Sequence, residues 1–281
     1  MKSTVEKTVF LEFMSQKIGI MGCGWLGFPL GKSWTSQGVS ISGTTTTASK
    51  CKVLEAAGID PYCIVLSADK VSNTIESFLN TVDTLILNIP PGLRGTSSES
   101  FVSKIRVLLP YIEQSLVKHV LFISSTSVYG HSQAAVNALS EPKPSTESGR
   151  QLLQVEQLLQ ASKAFKTTVL RLGGLIGNDR HPITMLSGKK GLKNGDAPIN
   201  LIHQKDCIAI IQKIVDGAFW GKTYCAAAPF HPSKKEYYTK EAIKRSLPIP
   251  EFAPESTAQN KTVSAQRLEA DLGYRFQYPT L

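Results

Sequence analysis

The chain has 281 residues and a formal net charge of +9, with 42% hydrophobic and 19% charged residues. That length allows one large α/β domain, or one domain with a small appendage, and the composition is that of a soluble globular protein. No run of about 18 apolar residues exists, which argues against a membrane span, and the charge is spread without a basic stripe, which argues against nucleic acid and for small anionic ligands such as a phosphorylated cofactor.

Five cysteines (Cys23, Cys51, Cys63, Cys207 and Cys225) form no C-x-x-C pair. This spacing predicts reduced thiols in a cytoplasmic protein, with neither a disulfide framework nor a metal site. Residues 1–16 lack the small-residue cleavage site and long apolar core of a secretory signal, so they read as an N-terminal extension. Met14, three residues before the first strand, is an alternative natural start.

The first chemistry-bearing stretch is Lys17 to Gly27, KIGIMGCGWLG. An apolar strand leads into Gly22-x-Gly24-x-x-Gly27, a helical pattern runs to about Gln37, and a second apolar run begins at Val39. Strand, glycine turn, helix and strand in that order form the first unit of a dinucleotide-binding sheet. Gly22 permits the tight turn, Gly24 admits a pyrophosphate to the backbone, and Gly27 lets helix and strand pack. Gly22, Cys23, Gly24, Trp25, Leu26 and Gly27 are therefore the expected phosphate-loop contacts. The Cys23 thiol lies near a helix N-terminus, where its pKa could fall; a small residue in a crowded turn is the plainer reading.

After the second strand, Thr44, Thr45 and Thr46 stand where an NAD-selective fold carries an acid, with Lys50 and Lys52 just beyond. No carboxylate there repels a 2′-phosphate, so NADP is favoured over NAD. Residues 50–58 read as a helix ended by Gly58, and Tyr62–Leu66 as a third strand. Asp69 follows, placed either to accept from an adenine amino group or to cap a helix. Asp83–Ile89 is an apolar strand that runs into Asn88-Ile89-Pro90-Pro91-Gly92, with Asn88 and Pro90 at the ligand-binding end. A flexible Ser-rich loop spans 95–100, and a helix covers Phe101–Gln114 despite Pro110.

The fifth strand, His119–Ile123, delivers Ser124-Ser125-Thr126-Ser127-Val128-Tyr129-Gly130. Ser124 and Ser125 could hydrogen-bond cofactor or substrate. Tyr129 is a phenol near the strand end that either serves chemistry or packs beneath the loop. His131 reads as a solvated loop residue. Glu147–Ala161 is a helix with Arg150 on its first turn, where it could hold an anion or simply face solvent. Thr167–Leu172 is a further strand, followed by GGLIG with Leu175 and then Arg180-His181-Pro182. His181 is the histidine that could act as general acid or base. Asn200–His203, Asp206–Gly217, Tyr224–Ala228 and 234–246 read as strand, helix, strand and helix. His203 and Asp206 are expected to tie the C-terminal region to the core.

Three motifs in one order (Gly-x-Gly-x-x-Gly, Ser-Ser-x-x-Val-Tyr-Gly and Asn-Leu-Ile-His-x-x-Asp) resemble the extended short-chain dehydrogenases/reductases, the NAD-dependent epimerase/dehydratase superfamily. The wording GCGWLG, SSTSVYG, SGR and RHP is closest to its atypical YeeZ-like subgroup, from about Lys17 to Pro279. The resemblance implies a Rossmann-type doubly wound parallel sheet, an NAD(P)-binding domain over 17–177 and a small substrate-side region over 178–281. It implies Ser125 as the catalytic serine. It places the family's Tyr-x-x-x-Lys pair at Ser148 and Leu152, with Glu156 matching the acid that follows, so the usual catalytic pair is absent. Two functions follow: an oxidoreductase or epimerase-like enzyme with another proton donor, or a non-catalytic NADP(H)-binding sensor or scaffold. A homodimer through the helices at 101–114 and 147–161 is the modest expectation, and the substrate is not specified.

Overall fold

A computed structural model describes residues 16–92, 99–131, 133–254 and 260–280. All of the proposed extension but Gln16, and most of the Ser-rich loop, lie outside the described residues. In chain order the elements are β1 (Lys17–Met21), α1 (Gly27–Thr35), β2 (Ser40–Thr45), α2 (Ala48–Ala56), β3 (Asp60–Cys63), α3 (Ile75–Leu79), β4 (Thr84–Leu87), α4 (Phe101–Glu113), β5 (His119–Ser125), β6 (Ala135–Val136) and α5 (Glu147–Ala161). They continue as β7 (Lys166–Leu172), β8 (Gly174–Ile176), α6 (Ile183–Leu186), β9 (Leu201–His203), α7 (Gln204–Asp216), β10 (Thr223–Ala226), α8 (Lys234–Lys244), β11 (Thr262–Val263) and α9 (Gln266–Leu272). Two compact units emerge, each assembled from three stretches.

Unit 1 takes the chain to Ser124, with Arg150–Leu170 and Gln212–Lys222. Six strands of the seven-stranded sheet belong to it, in the order β7-β5-β4-β1-β2-β3. β1 pairs in parallel with both β2 and β4, so the chain winds outward through β2 and β3 and then returns to the other side of β1. That reversal beside β1 is the topological switch point of a doubly wound, Rossmann-type sheet, and ligands of such sheets bind at the strands' carboxyl ends there. The strands are apolar runs because helices cover them: Ile18, Ile20, Leu85, Ile86, Leu121 and Phe122 are fully buried.

β3 corrects the expected span of 62–66. It begins at Asp60, and its pairing closes with Thr45 opposite Cys63, where β2 itself ends. Leu66 instead bridges Val71 in antiparallel fashion across a tight turn. Asp69 therefore caps no helix: α3 starts six residues later, behind Thr74.

Unit 2 comprises Ser125–Gly149, Arg171–Ile211 and Thr223–Leu281. It holds two small parallel ladders, β8 with β9 and β6 with β11. An apolar cluster of Ile176, Ile183, Ile199, Leu201, Tyr237, Tyr238 and Ala242 forms part of its core.

Candidate functional site

The glycine loop leaves β1 at Met21. Gly22 has a φ of +107°, and a Cβ there would stand 2.6 Å from the Asn88 carbonyl oxygen. A Cβ on Gly27 would strike the Gly22 carbonyl oxygen. At Gly24 an added Cβ would meet nothing within 4 Å. Two glycines are thus fixed by packing, and the third lies open at the place where a pyrophosphate approaches the backbone. No side chain caps α1 at Leu26; within the first turn the Phe28 N–H donates to the Gly24 carbonyl at 2.9 Å, and Pro29 has no N–H to give. Trp25 and Leu26 lie in this turn. The arrangement fits a dinucleotide.

Neighbouring strand ends brace the loop. The Gly22 N–H donates to Thr44 Oγ1 at 3.0 Å, and the Cys23 N–H donates to the Thr44 carbonyl at 2.9 Å. Asn88 Nδ2 donates to the Gly22 carbonyl at 3.0 Å. Thr44 and Asn88 therefore act on the loop itself. Thr45 is buried, and its hydroxyl accepts from the Thr47 N–H at 3.3 Å. Of the predicted ribose-side residues, Thr46 and Lys50 are exposed, as is Pro90 after β4. Exposed Asp69 accepts from Ser67 Oγ at 2.6 Å, and that hydrogen bond holds its carboxyl below the usual range.

Cys23 follows the plainer reading. Its sulfur faces Gly43, and burial pushes the thiol up to about 12, against a smaller opposing pull from the Thr44 backbone hydrogen bond. The helix end does not make a thiolate here.

At the end of β5, Ser124 is buried and donates to Glu156 Oε1 at 2.5 Å. The resemblance aligned Glu156 without revealing its partner; the partner lies 32 residues upstream. Ser148 is half-buried and Leu152 is buried on α5, and Arg150 is exposed on the first turn.

In unit 2, Ser125 Oγ accepts from the Ser127 N–H at 3.1 Å and caps a 3-10 turn over Thr126–Val128. This bond uses a lone pair and leaves the hydroxyl proton to donate. Tyr129 is 1% exposed. Its hydroxyl donates to the Asn137 carbonyl at 2.6 Å, accepts from Arg171 Nη1, and lies 3.3 Å from Cys225 Sγ. Burial raises its pKa further from the neutral range. These contacts are those of the second alternative, a ring packed beneath the loop.

His181 is likewise held within the fold. It is 6% exposed, its Nδ1 accepts from the Ile183 N–H at 3.2 Å, and its Nε2 lies 2.9 Å from the Tyr237 hydroxyl. Burial, followed by the Arg245 charge, pushes it down to about 4. Both ring nitrogens serve the fold. Leu175 is half-buried in β8, opposite Ile202. Asp206 is fully buried and accepts from the Tyr274 hydroxyl at 2.6 Å and the Gln277 N–H at 2.7 Å, while His203 stacks on Tyr278 at 3.8 Å. These two residues anchor the C-terminal segment, as the motif suggests.

No family model matches the chain. Protein YeeZ of Escherichia coli (strain K12) is 30% identical over 267 residues, covering 94% of this chain and 97% of that protein. The structure of a candidate NAD-dependent epimerase/dehydratase from Methylobacillus flagellatus superposes with a TM-score of 0.75 at 25% identity, covering 94% of each chain. A short-chain dehydrogenase/reductase superfamily protein from Agrobacterium tumefaciens, solved with bound NAD, gives a TM-score of 0.71 at 16% identity over 93% of each chain.

Proposed function

The chain belongs to the YeeZ family within the NAD-dependent epimerase/dehydratase superfamily of extended short-chain dehydrogenases/reductases, and on that premise we propose that it is an NAD(P)-dependent oxidoreductase or epimerase-like enzyme. The observation that carries the proposal is the glycine loop, with Gly22 and Gly27 locked and Gly24 open. The bound NAD of the Agrobacterium protein supports it. The nicotinamide supplies a hydride acceptor or donor. The residues of this chain would do the rest: Trp25 to Gly27 would receive the pyrophosphate, Thr46 and Lys50 face the ribose and Asp69 the adenine, and the Ser125 hydroxyl would hold a substrate oxygen by a hydrogen bond while another group exchanges the proton. Exposed Thr46 and Lys50, with no acid at the end of β2, favour NADP. Residues 17–177 would hold the cofactor and carry Ser125, and 178–281 would supply the rest of the substrate side. The free thiols are those of a cytoplasmic protein, and no helix among the described residues is long and apolar enough to cross a membrane.

A second reading has its own observation. Tyr129 and His181, the titratable groups the sequence offered as proton donors, are both bound inside the fold. A non-catalytic NADP(H)-binding sensor needs neither. Calorimetric titration with NADPH, NADH, NADP and NAD tests the shared core of both readings. Tight NADPH and weak NADH is the expected order, and binding by none of the four overturns the cofactor assignment. Turnover of any substrate by the loaded protein then separates enzyme from sensor.

A further inference from the structure

The turn that carries Asp69 is closed by its own bonds. The Ser67 N–H donates to the Lys70 carbonyl at 2.9 Å, and Ser67 Oγ donates to Asp69 Oδ1 at 2.6 Å. Beneath it Leu66 bridges Val71, and Ser72 Oγ accepts from the Val65 N–H at 2.8 Å. Placement of this turn against α4 is set by a second group of contacts. The start of α4 is anchored: Phe101 is fully buried, its N–H donates to Gln151 Oε1 of α5 at 2.7 Å, and Ser100 Oγ accepts from the Ser103 N–H at 3.2 Å. One turn into α4, Lys104 Nζ lies 2.7 Å from Glu99 Oε2. The other oxygen of that carboxylate, Oε1, accepts from the Ala68 N–H at 3.4 Å. Ala68 directly precedes Asp69. Contacts therefore run from α5 through α4 and Glu99 into the turn, all inside unit 1.

A carboxylate suits this tie because it has two oxygens, one for each side. The Lys104 hydrogen bond, followed by the Ala68 N–H, holds the Glu99 carboxyl below the usual range against the opposing charge of Asp69. Asp69, for its part, can only accept when ionised. It rewards an amino group on a base and penalises a carbonyl in the same place. That difference requires the oxygen to be held at hydrogen-bond distance, since the interaction weakens steeply away from it. A turn free to shift against α4 would give the difference up.

We propose that Glu99 is a positioning residue for cofactor recognition: it ties the turn of Ser67–Lys70 to the anchored start of α4, and so sets Asp69 to accept from an adenine amino group and to disfavour a base with a carbonyl there. It acts through Ala68 and Asp69. The inference rests on the dinucleotide reading and deepens it, from binding a dinucleotide to selecting its base.

The test is calorimetric titration of the full chain with NADPH and with its hypoxanthine analogue, in which a carbonyl oxygen replaces the adenine amino group. NADH and its hypoxanthine analogue run alongside. The readout is the ratio of the two dissociation constants, because general damage to the fold weakens both ligands alike. Wild type is expected to prefer adenine at least about tenfold, and Asp69→Asn, whose amide can donate to the carbonyl, to lose that preference. Glu99→Ala and Lys104→Met are each expected to cut the preference at least about threefold, while binding the hypoxanthine analogue within about twofold of wild type. Glu99→Gln keeps an oxygen for the Ala68 N–H and is expected to cut it less than Glu99→Ala. A smaller cut in Glu99→Ala, an equal loss of both ligands, or no preference in wild type would each overturn the proposal while leaving dinucleotide binding intact. Binding of no dinucleotide by wild type overturns the cofactor reading itself, and this inference with it.

Discussion

The glycine loop of unit 1 and the serine turn of unit 2 both leave the carboxyl end of a parallel strand, yet they are built by opposite means. The loop is shaped by side chains that are missing: Gly22 and Gly27 allow main chain to lie against main chain, and Thr44 and Asn88 brace it from adjacent strand ends. The turn is shaped by long side chains drawn from far along the sequence. Arg171 reaches the Tyr129 hydroxyl across 42 residues, and Lys261 reaches the Tyr129 carbonyl across 132. A loop of the first kind fails when an atom is added. A turn of the second kind fails when a partner is removed. The loop can therefore be probed by growing side chains and the turn by trimming them.

The largest effect is expected at Gly22. Alanine there meets both the positive φ and the Asn88 carbonyl, and should cost about 3 kcal/mol, lowering the melting temperature by several degrees. Gly24→Val should cost less than about 1 kcal/mol, because nothing stands near its Cβ, yet abolish NADPH binding. Thermal melts and titrations of the two variants sharpen the contrast within three residues. Equal melting of Gly22→Ala and wild type would break it.

Next comes a dependence on pH that belongs to unit 2 alone. His181 has an ordinary value of 6.5 and is held at about 4 in the fold, among Tyr237, Glu241, Lys244 and Arg245. The unfolded chain therefore binds the proton more readily than the folded one. The stability from neutral His181 is fully present above about 6.5 and is lost as the pH falls toward 4, at up to about 1.4 kcal/mol per unit within that window. Denaturant melts at pH 7 and pH 4.5 should show wild type losing about 2 kcal/mol more than His181→Gln over that interval. Parallel losses in the two proteins would remove the argument for a buried, neutral imidazole.

The same contrast explains what the sequence disclosed. The run from β1 through the glycine turn and α1 to β2 was legible because each signal is local: an apolar run, three glycines at fixed spacing, and a helical period. Glu147–Ala161 was legible to the residue for the same reason. The roles of Tyr129 and His181 were not. One is decided by Asn137, Arg171 and Cys225, the other by Ile183 and Tyr237, and no periodicity connects them. Lys261 carried no signal at all, since a lone lysine in a polar tail looks solvated until Asn200 is seen to fix its backbone. The third strand was misplaced because its limit is set by the end of β2 and not by its own residues.

Removing Lys261 tests the side-chain-held turn at its most distant support. Lys261→Met strands the carbonyls of Thr126 and Tyr129 and should cost about 2 kcal/mol while leaving NADPH affinity within about twofold of wild type. A stable variant that has lost the cofactor would show Lys261 serving the dinucleotide and not the turn.

Tyr129→Phe gives the smallest effect and the finest discrimination. The substitution keeps the buried ring and removes one oxygen. The Asn137 carbonyl loses its donor and Arg171 loses an acceptor, while Arg171 remains over the ring at 5.1 Å. Part of the guanidinium's attraction therefore survives, and the expected loss is about 1 kcal/mol in a denaturant melt. A catalytic phenol predicts the reverse pattern: stability near wild type, with a collapse of turnover in any reaction the loaded protein performs. The two patterns share no outcome, because the hydroxyl cannot be fully engaged by Asn137 and Arg171 and also be the group that exchanges a proton with substrate.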